Sequence, residues 1–420
     1  MKPKLVKGTR DLYGDDVDRF QYLEAAARAV FSKYGYEEIR TPIFEKTELF
    51  AHSVGEDTDI IGKEMYLLED RRGRSLALRP ECTAPVVRTV ITDNLMQQNS
   101  HLRFYYMGPM FRYEQPQKGR FRQFYQIGAE CFGVSTPDAD LELLLMLRHF
   151  FHEVNLTGVS FQLNTIGCQK PDCRPSYKAL LLEFLRKHQA DLCEDCNRRM
   201  DTNPLRVLDC KKERCIEITE NAPKIYEVVC EECADHFSEL KALLQHHEVK
   251  YQLNSRLVRG LDYYSRTVFE VYSDNLGAQN AAGGGGRYDG LFEVLGAEVV
   301  PSLGFALGLD RLAMLTTPEK KNPFSLFVLG HDRVAVSKLV AQCRDAGITC
   351  YYDPLQSSMK SQFRQANKRE ANQVLIIEET ELSKNIVAVK NMGDGTQQEI
   401  PSEQIVDFVS RSSQAADKLV

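Results

Sequence analysis

Arginine is the residue type through which this sequence could do chemistry. Arg112 and Arg120 lie in FRYEQPQKGRFRQF, Arg259 in VRGLDYY, Arg287 in GGGGRYDG and Arg311 in GLDRL, each beside glycine, an aromatic residue or a strand end. Planar guanidinium groups presented this way can grip a triphosphate bidentately and offset its charge. Any one of them alone is better explained by an ion pair; the recurrence favours a polyanionic ligand. Between Arg103 and Arg122 five basic residues stand against the single acid Glu114, a local positive field inside a chain of net charge -6. No GxSxG elbow, no HExxH and no His paired with Ser or Cys occurs. The run Gly283 to Gly286 fits neither a P-loop nor a GxGxxG unit, and reads as a tight turn or close backbone packing. A reaction without a protein nucleophile follows. Phosphoryl or nucleotidyl transfer fits, because positioning and charge stabilisation by Arg and Mg²⁺ do most of that work.

A second group of reactive residues is cysteine. Cys168-x4-Cys173, Cys193-x2-Cys196, Cys210-x4-Cys215 and Cys230-x2-Cys233 form four close pairs, enough for one or two Cys₄ structural zinc sites. Reduced thiols buried in a helical segment account for the same pairs, and both readings stand.

The elements that must position these residues follow from periodicity. LRFYYMGPMFRYE and RQFYQIGAECFG alternate apolar and polar residues on either side of the loop Gln115 to Gly119, which predicts an antiparallel hairpin with a basic tip. Phe20, Leu23, Ala27, Val30 and Phe31 predict a helix over 15–33, closed by Gly35. The next strand, YEEIRTPIF, contains Pro42, which belongs at an edge, a bulge or an interface because it cannot donate to a ladder. LALRPECTAPVVR runs from a strand into a helix capped near Glu81 to Thr83; Glu81 could be a cap or hold an ammonium group. A helix over 138–154 and a strand over 159–166 precede a charged, helical, cysteine-rich insertion. Strands resume at Leu257, and beyond TTPEKKNPF strands alternate with helices as in a small α/β domain.

Composition sets the frame. The 420 residues are 43% hydrophobic and 27% charged, ordinary globular usage that predicts two or three domains. No apolar run approaches the roughly 20 residues that span a bilayer. The N-terminus lacks an apolar secretory core, so a cytoplasmic protein is expected, without membrane partners.

The motifs TDIIGKEMY, LRPECTAP, FRYEQPQKGRFRQFYQIGAE, NPLRVLDCK, LVRGLDYYSRTVFEV, GGGGRYDGL and GFALGLDRL, in this order and spacing, closely resemble bacterial histidyl-tRNA synthetases. The resemblance covers nearly the whole chain. FRYEQ…RFRQF looks like motif 2 of class II synthetases, GLDRL like motif 3, and the Pro42 strand like motif 1, which builds a homodimer interface in the family. VRGLDYY and RYDG resemble the two signatures particular to the histidine enzymes. The resemblance implies an α+β fold: an antiparallel sheet flanked by helices, a helical insertion and a C-terminal α/β anticodon-binding domain. The expected boundaries are a catalytic core over 1–167 and 254–320, the insertion over 168–253 and the anticodon domain over 325–420.

It also implies a reaction, the ATP-dependent attachment of L-histidine to histidine tRNA through histidyl-adenylate, with Mg²⁺ accompanying ATP. By similarity, Arg112 and Arg259 contact the α-phosphate or the carboxylate, while Arg120 and Arg311 hold the outer phosphates and stack on adenine. Glu130 and Tyr264 match the imidazole-reading positions, Glu81, Thr83 and Gln126 those that receive the α-ammonium, and Tyr263 lines the same pocket. Gln117 and Arg122 match the loop that meets the tRNA acceptor end. Cys82 departs from the family, where Gly is common, and is expected to pack. The rival is a non-catalytic histidine-sensing paralogue resembling the regulatory subunit of ATP phosphoribosyltransferase. Such paralogues typically lose motif arginines and the anticodon domain, both present here.

Overall fold

The expected first helix runs over Asp15–Lys33 and buries Phe20, Leu23, Ala27, Val30 and Phe31. Asp15, Asp16 and Asp18 occupy its first turn, where the helix dipole favours them, and Gly35, at φ 76°, turns the chain out. Phe31 meets Tyr105 and Phe305 edge-on at 5.7 and 5.8 Å, which seats the helix on a sheet. The computed structural model describes residues 2–54, 60–114, 119–261, 263–276, 281–318 and 324–417. It comprises two units, Met1–Pro318 and Glu319–Val420.

The first unit is built on an eight-stranded sheet. In chain order the strands of this unit are β1 (Glu37–Glu38), β2 (Phe44–Lys46), β3 (Leu67–Glu69), β4 (Ser75–Leu78), β5 (Leu102–Phe111), β6 (Gln123–Phe132), β7 (Val159–Thr165), β8 (Tyr251–Leu253), β9 (Ser265–Ser273), β10 (Ala281–Arg287) and β11 (Ser302–Gly308). The large sheet has the order β1-β5-β6-β11-β10-β9-β7-β8, antiparallel except for the β1–β5 and β7–β8 pairs. The fold class is therefore α+β, as expected. β5 and β6 form the expected hairpin, in register from Leu102 opposite Phe132 to Phe111 opposite Gln123. Side chains alternate between faces of a strand. Ile127, Ala129 and Cys131 of β6 accordingly enter the core with the helices Asp15–Lys33 and Pro137–Glu153, which leaves Gln126, Gly128 and Glu130 on the opposite face.

Two expectations need correction. The strand YEEIRTPIF is divided: β1 joins the large sheet, β2 joins a three-stranded sheet of order β2-β4-β3, and Pro42 lies in neither strand. The physical reason is a competing donor. Arg79 Nη1 donates to the Thr41 and Pro42 carbonyls at 3.0 and 3.5 Å, and its Nε to Pro109 O at 3.0 Å, so these carbonyls are satisfied where Pro42 has no N–H to offer. Arg287 does not join the other arginines. Fully buried, it pairs with Asp140 at 2.6 Å and donates to Val134 O and Thr136 O at 3.0 and 2.7 Å, tying β10 to the start of the helix Pro137–Glu153.

Within 168–253 the helices Arg174–Lys187, Glu194–Thr202 and Glu213–Glu220 form a cysteine-rich layer. The end of the segment returns to the core. Phe237, Leu240 and Leu244 of the helix Glu231–His246 share a cluster with Phe150 and Leu163, and β8 pairs with β7.

The second unit has a five-stranded sheet of β12 (Ser325–Leu329), β13 (Thr349–Tyr352), β14 (Gln373–Ile376), β15 (Ile386–Asn391) and β16 (Gln397–Pro401), in the order β13-β12-β14-β15-β16. The β12, β13 and β14 pairings are parallel, with the helices Arg333–Asp345 and Met359–Lys368 between them in the chain. Asp332 caps the first of these, accepting from Val334 N and Ala335 N at 2.9 Å.

Candidate active site

Four of the five arginines converge. Arg112, Arg120, Arg259 and Arg311 line one cavity of about 230 Å³, together with Glu81, Thr83, Gln126, Tyr263 and Tyr264. Its floor is the β6, β11 and β10 part of the sheet, where Gly283, Gly284 and Ala306 leave the surface low. A Cβ on Gly284 would come within 2.7 Å of Arg259 Nη1 and 2.5 Å of Phe269 O. The glycine run is therefore strand, and of the two readings close backbone packing is the one observed.

Acids hold the guanidinium groups in place. Arg120 pairs with Glu114 at 3.2 Å and Arg259 with Glu270 at 2.6 Å. Arg112 Nε donates to Pro80 O at 2.9 Å, and its guanidinium lies 5.3 Å from the Phe124 ring centre. Arg311 Nη1 donates to Ala281 O. Burial first, then the neighbouring Arg120 cation, hold the Arg311 guanidinium below its usual pKa. A cation cluster in which one member already resists its charge is stabilised by an arriving polyanion.

Other groups of the cavity suit an amino acid. Glu81 caps the helix Thr83–Thr92, accepting from Thr83 N at 2.7 Å and Ala84 N at 3.0 Å, while also lining the cavity. Among the described residues Gln126 Oε1 is buried without a hydrogen-bond partner, an acceptor left for a ligand N–H. Glu130 lies behind Thr83, fully buried, and accepts from Thr83 Oγ1 at 2.6 Å and from the Tyr288 hydroxyl. Burial pushes its carboxyl up to about 8; the Thr83 and Tyr288 hydrogen bonds act against this, and nearby Glu81 adds to it. Gly304 makes the room, because a Cβ there would sit 1.7 Å from Glu130 Oε2.

Sequence reasoning missed several participants. The phenol bonded to Glu130 is Tyr288; the Tyr264 ring lies 4.8 Å from Tyr263 and 5.6 Å from the Arg259 guanidinium. Tyr288 stands in the RYDG motif, and that was the available signal. Asp310, in GLDRL, accepts from Tyr125 N and Arg10 Nη2, both at 2.8 Å, and so ties the hairpin to the N-terminal segment. Cys82 packs as expected, its sulfur 3.3 Å from Thr41 Oγ1, with burial pushing the thiol up to about 12. Arg122 is not among the cavity residues; its guanidinium lies 3.8 Å from the Tyr113 ring centre. Gln117 lies outside the described residues.

Two further clusters could hold metal. The sulfurs of Cys168, Cys173, Cys230 and Cys233 lie within 4.8 Å of one another, as do those of Cys193, Cys196, Cys210 and Cys215. The pairs are nested in the chain, first with last and second with third, and none forms a disulfide. In the cavity, the Glu114 and Glu270 carboxylates stand among the arginines, hard oxygen donors that fit Mg²⁺ arriving with a nucleotide. No helix among the described residues is long and apolar enough to cross a membrane.

Comparison with known proteins points the same way. A family model described as histidyl-tRNA synthetase matches residues 8–312, and one described as anticodon binding domain matches residues 327–412. The chain is 48% identical over 406 residues to a histidine–tRNA ligase of Maridesulfovibrio salexigens, covering 96% of this chain and 98% of that one. To the corresponding protein of Thermodesulfovibrio yellowstonii it is 44% identical, covering 98% and 99%. Among solved structures it is similar to apo histidyl-tRNA synthetase of S. aureus, with a TM-score of 0.81, 33% identity and coverage of 97% and 100%.

Proposed function

Because the chain belongs to the histidyl-tRNA synthetase family, we propose a division of labour within its cavity for the ATP-dependent attachment of L-histidine to histidine tRNA. The enzyme is a class II aminoacyl-tRNA synthetase. One observation carries the assignment of roles: four arginines meet in a single cavity that Glu81, Thr83 and Gln126 also line, with the buried Glu130 bonded behind Thr83.

In the first step a histidine carboxylate oxygen attacks the α-phosphorus of ATP, forming histidyl-adenylate and releasing pyrophosphate. The carboxylate is already a nucleophile, so the site needs positioning and charge stabilisation rather than a base. Arg112 and Arg259 are assigned to the α-phosphate and carboxylate, Arg120 and Arg311 to the outer phosphates and the adenine. Mg²⁺, when bound beside Glu114 and Glu270, shares the phosphate charge. Glu81, Thr83 and Gln126 receive the α-ammonium; the unpartnered Gln126 Oε1 supports this. Glu130 and Tyr264 read the imidazole, with Tyr288 holding the Glu130 carboxyl and Tyr263 completing the wall. A pocket of buried polar groups rejects apolar isosteres because those groups would be left unpaired. In the second step a ribose hydroxyl of the tRNA's terminal adenosine attacks the histidyl carbonyl and AMP leaves, with Gln117 and Arg122 at the hairpin tip assigned to that end of the tRNA.

The catalytic core is assigned to 1–167 and 254–320, the insertion to 168–253 and anticodon binding to 325–420. A homodimer acting in the cytoplasm completes the reading, together with structural zinc in the insertion. The histidine-sensing paralogue is not favoured, because the arginines stand together and residues 327–412 match an anticodon binding domain. Histidine-dependent exchange of pyrophosphate into ATP tests the assignment. Wild-type activity is expected to fall by roughly a hundredfold or more in Arg259→Ala; exchange without histidine, or unchanged exchange in the variant, rejects it.

A further inference from the structure

The nested cysteine quartets lie at the two ends of the segment that carries Arg259, Tyr263 and Tyr264. A tetrahedral ion with bonds of about 2.3 Å to sulfur places its ligands about 3.8 Å apart. Cys168 and Cys230 have their sulfurs 3.8 Å apart, and Cys193 and Cys210 3.9 Å apart. These separations are far beyond a disulfide bond. Backbone N–H groups are aimed at the sulfurs. Cys173 Sγ accepts backbone N–H groups from Cys168 and Cys230 at 3.3 and 3.4 Å, and Cys215 Sγ accepts from Cys193 N at 3.4 Å. Cys193 and Cys230 each stand immediately before a helix, Glu194–Thr202 and Glu231–His246, with Cys196 and Cys233 in the first turns, so each helix start fixes two sulfurs of its set. Gly167 leaves space for one of the sulfurs, since a Cβ there would lie 2.8 Å from Cys173 Sγ. Four sulfurs within 4.8 Å of one another offer a closed ligand set, and an all-sulfur tetrahedral set selects zinc over magnesium or calcium.

Each quartet is wired to the active-site segment. Next to Cys173, the buried Arg174 donates to Ile166 O and Gly167 O at 2.8 Å and to Tyr264 O at 2.6 Å. On the other side, Arg256 Nη2 donates to Leu208 O and Cys210 O, both at 3.1 Å, and Arg206 Nη2 to Gly260 O at 2.9 Å. We propose that the insertion binds two zinc ions, one in each Cys₄ set, and that together they hold residues 256–264 from both ends and so position Arg259, Tyr263 and Tyr264. The cysteines are positioning residues, not catalytic ones. The anchoring half of the proposal rests on the histidine-activating reading of the cavity; the metal half does not.

Metal analysis of the full-length protein, purified without chelator, is expected to give two zinc ions per chain, with X-ray absorption reporting four sulfur neighbours at about 2.3 Å. The double variant Cys230→Ser with Cys233→Ser should retain one zinc, as should Cys193→Ser with Cys196→Ser. In each, histidine-dependent exchange should fall by roughly tenfold or more. Absence of zinc with all thiols titrating freely, iron in its place, or two zinc ions retained in both variants overturns the sites. Zinc lost with exchange unchanged overturns the anchoring. If neither variant folds, the wild-type zinc count and absorption spectrum still decide. Two zinc ions in a wild-type protein inactive with histidine uphold the sites and count against the functional reading alone.

Discussion

Glu130 is a carboxyl whose neighbours decide what it can recognise. Fully buried and accepting from Thr83 and Tyr288, it titrates near 8 rather than at the ordinary 4.5. Glu130→Gln keeps the size but removes the ionisable oxygen. Steady-state exchange kinetics should give a Michaelis constant for histidine raised roughly tenfold, the worth of one buried hydrogen bond; an unchanged constant removes Glu130 from the imidazole site. The same group sets a pH dependence. Below about 4.5 it is protonated folded and unfolded and contributes nothing. Between about 4.5 and 8 the folded state holds a proton that the unfolded chain has lost, so rising pH favours unfolding; above about 8 the full penalty is present and constant. Denaturant titrations of the ligand-free protein should therefore find it losing stability relative to the Gln variant across that window, and parallel pH curves would contradict the buried-acid account. Sequence similarity supplied Glu130 but not its phenol partner. Tyr288 follows it by 158 positions, and the two meet only because β11 and then β10 lie beside β6. No local pattern encodes that order.

At the scale of elements, the hairpin was legible because its alternation is regular and only one register buries Ile127, Ala129 and Cys131 together. What clamps it was not. Arg10 pairs with Asp310 at 2.8 Å, its guanidinium lies 4.6 Å from the Phe121 ring centre, and Asp310 in turn accepts from Tyr125 N. Thus three distant stretches fix where β6 begins. Arg10→Ala leaves a nearly buried carboxylate without its cation and should cost roughly 1–3 kcal/mol in thermal or denaturant unfolding. Hydrogen exchange should quicken in the strand around Tyr125; unaltered protection there would mean the clamp does not hold the hairpin. Strand breaks were poorly legible for the same reason. Pro42 announced a break, but which sheet each half joins depends on Arg79, whose partners are 37 and 38 residues away. The cysteines behaved likewise: spacing marked the pairs, while their nesting awaited the return of the helix Glu231–His246 to the core.

On the scale of the molecule, the three-stranded sheet is the feature that a single chain leaves unfinished. Phe44 and Leu68 are exposed, at 56% and 46%, on one face of this sheet, since Phe44 stands opposite Leu78 and Leu68 opposite Leu76. Such an apolar grouping on a folded surface calls for a covering, and in the proposed homodimer a second copy of the chain would supply it. The sheet also bears on catalysis, because β4 runs directly into Arg79, Pro80 and Glu81, and Pro80 O holds Arg112. A monomer would leave one face of that sheet uncovered. Phe44→Asp combined with Leu68→Asp should therefore halve the mass seen by light scattering and lower histidine-dependent exchange by roughly tenfold or more, through loss of positioning at Arg112 and Glu81. A wild-type protein that is monomeric at assay concentrations rejects the homodimer. A monomeric variant with full exchange activity would instead leave the dimer standing and break its link to the active site.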